Sequence, residues 1–88
     1  MDDWKFDITN QGKIDLKSLD ATVQQRVLAK LKWFTENFHN LVPIPLGGKW
    51  RGFFKLRVGD WRIVYEIHYL DRIITIYTID NRNKIYKK

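Results

Sequence analysis

The sequence predicts an α+β domain in which a helical hairpin packs on one face of an antiparallel sheet. Three observations indicate this fold: an alternating apolar pattern at residues 4–8, an apolar stripe of helical period across residues 20–40, and three segments rich in aromatic and β-branched residues after residue 49. The predicted order is an N-terminal strand, the hairpin and a three-stranded meander. The chain has 88 residues, which suits a single domain over residues 1–88.

The first half of the chain supplies the first strand and both helices. After the strand at residues 4–8, the polar segment 10–12 is expected to end it, and a short helix is predicted over residues 13–18. Asp20 is a suitable N-cap for a second helix, which should end near residues 38–40, before Pro43 and Pro45. The residues of its apolar stripe are Val23, Val27, Leu31, Phe34 and Phe38, with Leu28 widening the stripe.

The second half predicts the meander. A Pro/Gly connector at residues 41–49 precedes strands at residues 50–58, 61–69 and 72–79. Gly59-Asp60 and Leu70-Asp71 are the expected turns, and such short connections favour antiparallel neighbours.

The alternation of side chains along these strands places basic residues on one face of the sheet. The apolar residues of each strand must meet the helices, so the other set points away from them. That set contains Phe53, Lys55, Arg57 and Arg62, and the alternating positions of the tail add Arg82, Lys84 and Tyr86. The sequence therefore predicts a concave cationic face with aromatic residues beside it.

The distribution of charge indicates a polyanionic partner. Residues 1–46 carry six Lys/Arg and six Asp/Glu, whereas residues 47–88 carry ten Lys/Arg and four Asp/Glu, so the whole net charge of +6 lies in the second half. Cations that contact phosphates and rings that stack on bases suit single-stranded nucleic acid. The same groups can cleave RNA without a metal, because the 2′-hydroxyl of the substrate is itself a nucleophile and needs a base, an acid and cations to stabilise the transition state.

Other classes of site fit the sequence poorly. The chain has no Cys and only two His, which excludes disulfides and argues against a zinc site. Gly47-Gly48 lacks the spacing of a nucleotide-binding loop, and no metal or cofactor is expected. Asp60, Glu66 and Asp80 are weak candidates for a metal-bound cluster, and His68 is expected to be exposed. With no apolar run of membrane-spanning length and no signal peptide, a cytoplasmic protein without membrane contact is expected.

Residues 46–67 (LGGKWRGFFKLRVGDWRIVYEI) resemble the central block of the RelE/ParE toxin superfamily, and residues 56–65 are the most specific part. Residues 79–86 (IDNRNKIY) resemble the end of the family pattern, with Asn81 where His is common. The order of strands and helices also agrees with this family, so the resemblance extends over the whole chain.

The resemblance implies the toxin of a type II toxin–antitoxin system. RelE-like members cut messenger RNA in the ribosomal A site through the 2′-hydroxyl. The matching catalytic positions are Lys55, Arg62, Arg82 and Tyr86, and the residues expected to contact RNA are Lys49, Arg51, Phe53, Arg57 and Lys84. Phe53 stands where the best-known RelE pattern has a second Lys, which leaves Lys55 and Tyr86 as alternatives for the general base.

The expected partners are an acidic antitoxin, which can form a heterotetramer with the toxin, and the ribosome with its messenger RNA. Two other functions remain open: a ParE-like inhibitor of DNA gyrase, which would not be a ribonuclease, and a non-catalytic RNA-binding module. Retention of Arg62, Arg82 and Tyr86 favours the RelE-like ribonuclease.

Overall fold

The computed structural model describes residues 3–81, which form two helices and a five-stranded sheet with the order β1-β5-β4-β3-β2. The strands are β1 (Lys5–Ile8), β2 (Ile44–Pro45), β3 (Phe54–Val58), β4 (Trp61–His68) and β5 (Ile73–Asn81), and the helices are α1 (Asn10–Lys17) and α2 (Ala21–Glu36). Short 3₁₀ turns cover Phe38–Asn40 and Gly48–Trp50. The predicted α+β class, with both helices on one face of the sheet, is confirmed.

The sheet is mixed, because the first strand joins it beside the last. The meander β3-β4-β5 is antiparallel as predicted, and β1 pairs with β5 in parallel, with Lys5 opposite Ile73. The connector contains the short strand β2, which pairs with β3 and was not predicted. The prediction of a strand from residue 50 was wrong for residues 50–53, because Gly48–Trp50 is a 3₁₀ turn and β3 begins at Phe54.

Helix α1 begins earlier than the sequence indicates. The Thr9 hydroxyl caps it by accepting a hydrogen bond from the Gly12 backbone N–H at 3.0 Å, so residues 10–12 belong to the helix and do not form a break. Gly12 is needed here for close packing, since a Cβ atom would lie 2.7 Å from the Ile8 Cγ2 atom and 3.0 Å from the Ile76 carbonyl oxygen. The glycine therefore lets α1 approach the sheet.

Helix α2 follows its predicted stripe and N-cap closely. The Asp20 carboxylate accepts a hydrogen bond from the Val23 N–H at 2.9 Å. The helix ends at Glu36, and Phe38 continues the buried stripe from the 3₁₀ turn that follows. The prediction that Leu28 widens the stripe was wrong, since 39% of this residue is exposed.

The core lies between the helices and the inner face of the sheet. Its buried residues are Leu19, Val27, Leu31, Phe34, Phe38, Ile63, Tyr65, Ile74, Ile76 and Ile79. Tyr65 lies at its centre, 5.2 Å from the Phe34 ring and 5.8 Å from the Phe54 ring, measured between centroids. Burial of the phenol raises the pKa of Tyr65, and the charge of Tyr69 is a second, smaller cause of the increase.

A β-bulge in β5 changes which of its residues face the core. Val64 lies opposite Thr78 whereas Tyr65 lies opposite Ile76, so Tyr77 is an extra residue in β5. As a result Ile76 and Ile79 are both buried although they are three residues apart.

Within residues 3–81, no helix has the length and apolar character that crossing a membrane requires.

Candidate functional site

The face of the sheet turned away from the helices, called the open face below, carries the predicted cations of β3 and β4. Phe54, Leu56 and Val58 pack against the core, so the alternating residues Lys55 and Arg57 belong to the opposite face. The register pairs Lys55 with Val64, and Arg57 with Arg62. The sequence prediction that Lys55, Arg57 and Arg62 share one face is therefore confirmed.

Arg62 is held by a carboxylate that the sequence analysis did not assign to it. Asp80 of β5 lies opposite Arg62 in the register, and its Oδ2 atom is 3.8 Å from the Arg62 Nη2 atom. The Arg62 side chain is only 22% exposed, against 39% for Asp80. The Arg62 Nε atom is buried without a hydrogen-bond partner. A guanidinium has five N–H donors, so one that faces a single carboxylate oxygen keeps other donors for a further anion, such as a phosphate oxygen.

Three aromatic rings form a second group on the open face, called the aromatic cluster below. The cluster consists of Trp50, Phe53 and Tyr77. The ring centroids of Phe53 and Tyr77 are 4.8 Å apart, and those of Trp50 and Phe53 are 5.3 Å apart, both in edge-to-face geometry. Sequence analysis identified only Phe53 of the three, because it assigned no face to the residues of the last strand, where a bulge interrupts the alternation.

The remaining predicted residues fall into two groups. Lys49 lies in the 3₁₀ turn and Arg51 directly after it, and both are exposed on either side of Trp50. Lys55 is partly buried, whereas Arg57 is exposed. Three predicted positions lie outside the described residues, namely Arg82, Lys84 and Tyr86.

The acidic and imidazole groups do not gather into a metal site in the part of the chain that the structure describes, since no three His, Asp or Glu side chains come together there. Asp60 is exposed in the turn between β3 and β4, as expected. His68 is also exposed, as predicted, and its Nε2 atom lies 3.5 Å from the Glu66 Oε1 atom. The chemistry that the described residues support is the binding of anions by cations next to aromatic rings.

An apolar pocket of about 230 Å³ lies between α2 and the β3 edge. Its lining is mainly apolar and includes Trp33, Phe34, Val42 and Leu56, together with the cations Lys30, Lys55 and Arg57. Neither Arg62 with its Asp80 partner nor the aromatic cluster lines this pocket, so the open face is the better candidate for a site that acts on a polyanion.

Solved structures with a similar fold include RelE toxins and complexes of RelE with RelB. The RelBE2 toxin–antitoxin complex from Mycobacterium tuberculosis matches with a TM-score of 0.79 at 22% identity, covering 90% of this chain and 98% of that one. The RelE–RelB complex from Pyrococcus horikoshii matches with a TM-score of 0.72 at 20% identity, covering 93% and 98%. The isolated RelE toxin of E. coli matches with a TM-score of 0.72 at 15% identity, covering 89% and 83%. At these identities the likeness concerns the fold alone.

A sequence comparison with curated proteins gives no significant match. A family profile does match, and it covers residues 6–86, which is nearly the whole chain. This agrees with the resemblance to the RelE/ParE superfamily and with the toxin folds found by structural comparison. The chain therefore belongs to the family of ParE toxins of type II toxin–antitoxin systems, parDE.

Proposed function

We propose that this toxin is a ribosome-dependent endoribonuclease that cleaves messenger RNA by metal-independent attack of the 2′-hydroxyl. The observation that carries the proposal is the open face, where Lys55, Arg57 and Arg62 lie together in the sheet register beside an aromatic cluster. Cations with adjacent rings suit an RNA strand, because phosphates and unstacked bases alternate along it.

The proposed reaction needs three roles. A base takes the proton of the 2′-hydroxyl, whose oxygen then forms a new bond to the adjacent phosphorus. The bond from phosphorus to the 5′-oxygen breaks, and an acid protonates that oxygen. Arg62 and Arg82 stabilise the charge of the transition state, with Lys55 supporting them. Tyr86 protonates the leaving oxygen or stacks on the substrate, and the base is Lys55 or Tyr86.

The environment of Arg62 supports its proposed role. Its side chain is more than three-quarters buried and is held near Asp80, so its position is restrained before substrate arrives. A preorganised charge needs little rearrangement when the transition state forms, which is the source of its catalytic effect.

Single-turnover cleavage at saturating toxin, with programmed ribosomes, tests this assignment. Arg62→Ala and Arg82→Ala should each lower the cleavage rate constant by about 10²–10³, the usual loss for one preorganised charge contact. Arg26→Ala is a matched control, since Arg26 is exposed on α2. Unchanged rate constants in both variants, with weaker binding and a smaller salt slope, would leave a non-catalytic RNA-binding face.

The proposed mechanism needs no metal, because the 2′-hydroxyl and the side chains supply all three roles. Cleavage of defined ribosome complexes should therefore persist when a chelator of transition metals is added and the structural magnesium is kept constant. Dependence of cleavage on an added transition metal would contradict the mechanism.

An acidic antitoxin is the proposed partner. The similar toxins of M. tuberculosis and P. horikoshii were solved as toxin–antitoxin complexes. Because the net positive charge of this chain lies in residues 47–88, an acidic segment that folds on the open face would neutralise it. Charge reversal by Lys55→Glu or Arg57→Glu should weaken the complex. A complex that is formed only by residues 1–46, with the open face accessible, would contradict this proposal.

A second function, inhibition of DNA gyrase, is favoured by the matching profile, which describes ParE toxins. Two measurements separate it from the ribonuclease. If the protein is a ribonuclease, primer extension on cellular messenger RNA after induction should show cleavage within translated regions. Purified gyrase, assayed for supercoiling with the toxin present, is inhibited only if the gyrase proposal is correct.

A further inference from the structure

Tyr77 is the extra residue of the bulge in β5, and its ring lies in the aromatic cluster on the open face. Without the extra residue, strict alternation would send Thr78 to the core and Ile79 to the open face. Instead Thr78 lies opposite Val64, and Ile79 lies opposite Ile63 in the core. Bulges next to functional sites often redirect a side chain in this way. The bulge therefore leaves two successive residues, Tyr77 and Thr78, outside the core, and the Tyr77 ring lies on the face that carries the cations.

The other two rings of the aromatic cluster restrain Tyr77 without covering it. Phe53 lies 4.8 Å and Trp50 lies 6.5 Å from Tyr77 between ring centroids, with interplanar angles of 70° and 80°. Perpendicular contacts of this kind fix the orientation of a ring. Tyr77 is nevertheless 39% exposed. A ring that is restrained by its neighbours and still partly exposed is suited to receive a flat ligand.

The cluster lies directly beside the cations. Phe53 precedes Lys55 by two residues on the same face, and Arg57 follows Lys55 by two. Successive positions on one face of a strand are about 7 Å apart, which is twice the rise per residue. Lys55 and the Arg57–Arg62 pair thus lie one such step apart along β3, and Phe53 directly precedes the strand. One nucleotide step of an extended strand has a comparable length.

We propose that Tyr77 is a stacking platform for one unpaired nucleobase of an RNA strand whose phosphates contact Lys55 and Arg62. Phe53 and Trp50 are positioning residues that hold the Tyr77 ring. The inference rests on the proposed function and extends it, because the toxin would then recognise a base as well as the phosphates next to it. Since stacking strength increases with the area of the ring system, the platform favours purines over pyrimidines.

A purely structural role for the cluster makes a different prediction. The segment before β3 is already fixed by backbone hydrogen bonds from the Leu46 N–H to the Phe53 oxygen at 2.9 Å and from the Phe53 N–H to the Trp50 oxygen at 3.0 Å. If the rings only anchored this segment, loss of Tyr77 would lower stability and would not change the contribution of any base to binding.

The test measures binding of single-stranded deoxyadenosine trinucleotides to the full-length chain, with the central base present or replaced by an abasic site. These probes lack the 2′-hydroxyl, so they are not cleaved. For the unmodified protein, loss of the base should weaken binding by about 5- to 150-fold, which corresponds to the roughly 1–3 kcal/mol of one base–aromatic stack. Tyr77→Phe should keep this difference, and Tyr77→Leu should abolish it.

Two further variants serve as matched controls. Tyr69→Leu removes another exposed tyrosine, which packs 6.0 Å from Trp4, and should keep the dependence on the base. Lys55→Gln should weaken binding of both probes equally, because it removes only a phosphate contact. Thermal unfolding of each variant verifies that it is folded at the assay temperature.

The inference is overturned if folded Tyr77→Leu still distinguishes the two probes as the unmodified protein does. It is also overturned if the unmodified protein cleaves ribosome-bound messenger RNA but binds both trinucleotides equally. Either result leaves the proposed ribonuclease intact. Failure of the ribonuclease itself is recognised separately, by the absence of messenger RNA cleavage in the primer-extension assay.

Discussion

The contact between Arg62 and Asp80 makes a quantitative prediction for RNA binding. Asp80 partly neutralises Arg62, whose side chain is 22% exposed and whose Nη2 atom lies 3.8 Å from the Asp80 Oδ2 atom. The change Asp80→Asn keeps the size of the side chain and removes its charge. Because phosphate then meets an unpaired guanidinium, the variant should bind single-stranded RNA more tightly than the unmodified toxin.

The size of this effect follows from the geometry. Two unit charges about 4 Å apart interact by about 1 kcal/mol in water and by about 4 kcal/mol at an effective dielectric constant of 20. Asp80 is 39% exposed, so solvent screening and side-chain mobility reduce the net interaction to the lower limit of this range or below it, about 0.5–1 kcal/mol. The expected gain in affinity is therefore about 2- to 5-fold. One additional cation at a phosphate should also make the slope of log K against log salt steeper by about 0.7.

The assay is equilibrium binding of a single-stranded RNA at several salt concentrations, on ice-cold samples and short time scales that limit cleavage. Asp71→Asn is the matched control, since it makes the same change in net charge in an exposed turn at the other end of β4. Equal effects of the two variants would show that only net charge matters. Weaker binding by Asp80→Asn would show that Asp80 is required to position Arg62, and would refute the idea that this carboxylate competes with phosphate.

Three further predictions concern stability. Leu31→Ala should cost about 2–5 kcal/mol in chemical denaturation because Leu31 is fully buried, while Leu28→Ala, at 39% exposure, should cost less than half of that. Gly12→Ala should lower the free energy of unfolding by about 1 kcal/mol, since overpacking outweighs the gain in helix propensity. Gly47→Ala should be neutral or stabilising, because a Cβ atom there would have no other atom within 4 Å. Because the pKa of Tyr65 is raised in the folded state, the contribution of this phenol to stability should be fully present below about pH 10 and be lost as pH rises above it. Tyr65→Phe should remove this part of the decrease in the free energy of unfolding, measured by denaturation at several pH values.

Sequence periodicity predicted the faces of β3 and β4 correctly because both strands alternate without interruption. Lys55 and Arg57 alternate with core residues, and so does Arg62. The same rule failed in β5, where buried Ile76 and Ile79 are three residues apart. A single extra residue changes every pairing after it, and it is this change that brings Asp80 opposite Arg62 and Ile79 into the core.

The early start of α1 escapes sequence analysis for a different reason. Glycine usually interrupts a helix, so the local pattern predicts a break at Gly12. In the folded chain, the same absence of a side chain allows the helix to contact the sheet, and the Thr9 cap fixes its beginning. Helix propensity describes an isolated helix, whereas the residue at position 12 is determined by close contact with Ile76, which is distant in sequence.

Phe53 connects these observations to the proposed chemistry. The RelE pattern that this sequence resembles has a lysine at that position, and here a ring packs against Trp50 and Tyr77. A lysine would add a phosphate contact, whose strength decreases as salt increases. A ring that orients a stacking platform adds a contact with a base, which salt screens far less. Because Asp80 partly neutralises Arg62, we expect RNA binding by the open face to depend less on charge and more on aromatic contacts than the family pattern implies. On the proposed function, discrimination between bases should therefore persist at salt concentrations that weaken the phosphate contacts.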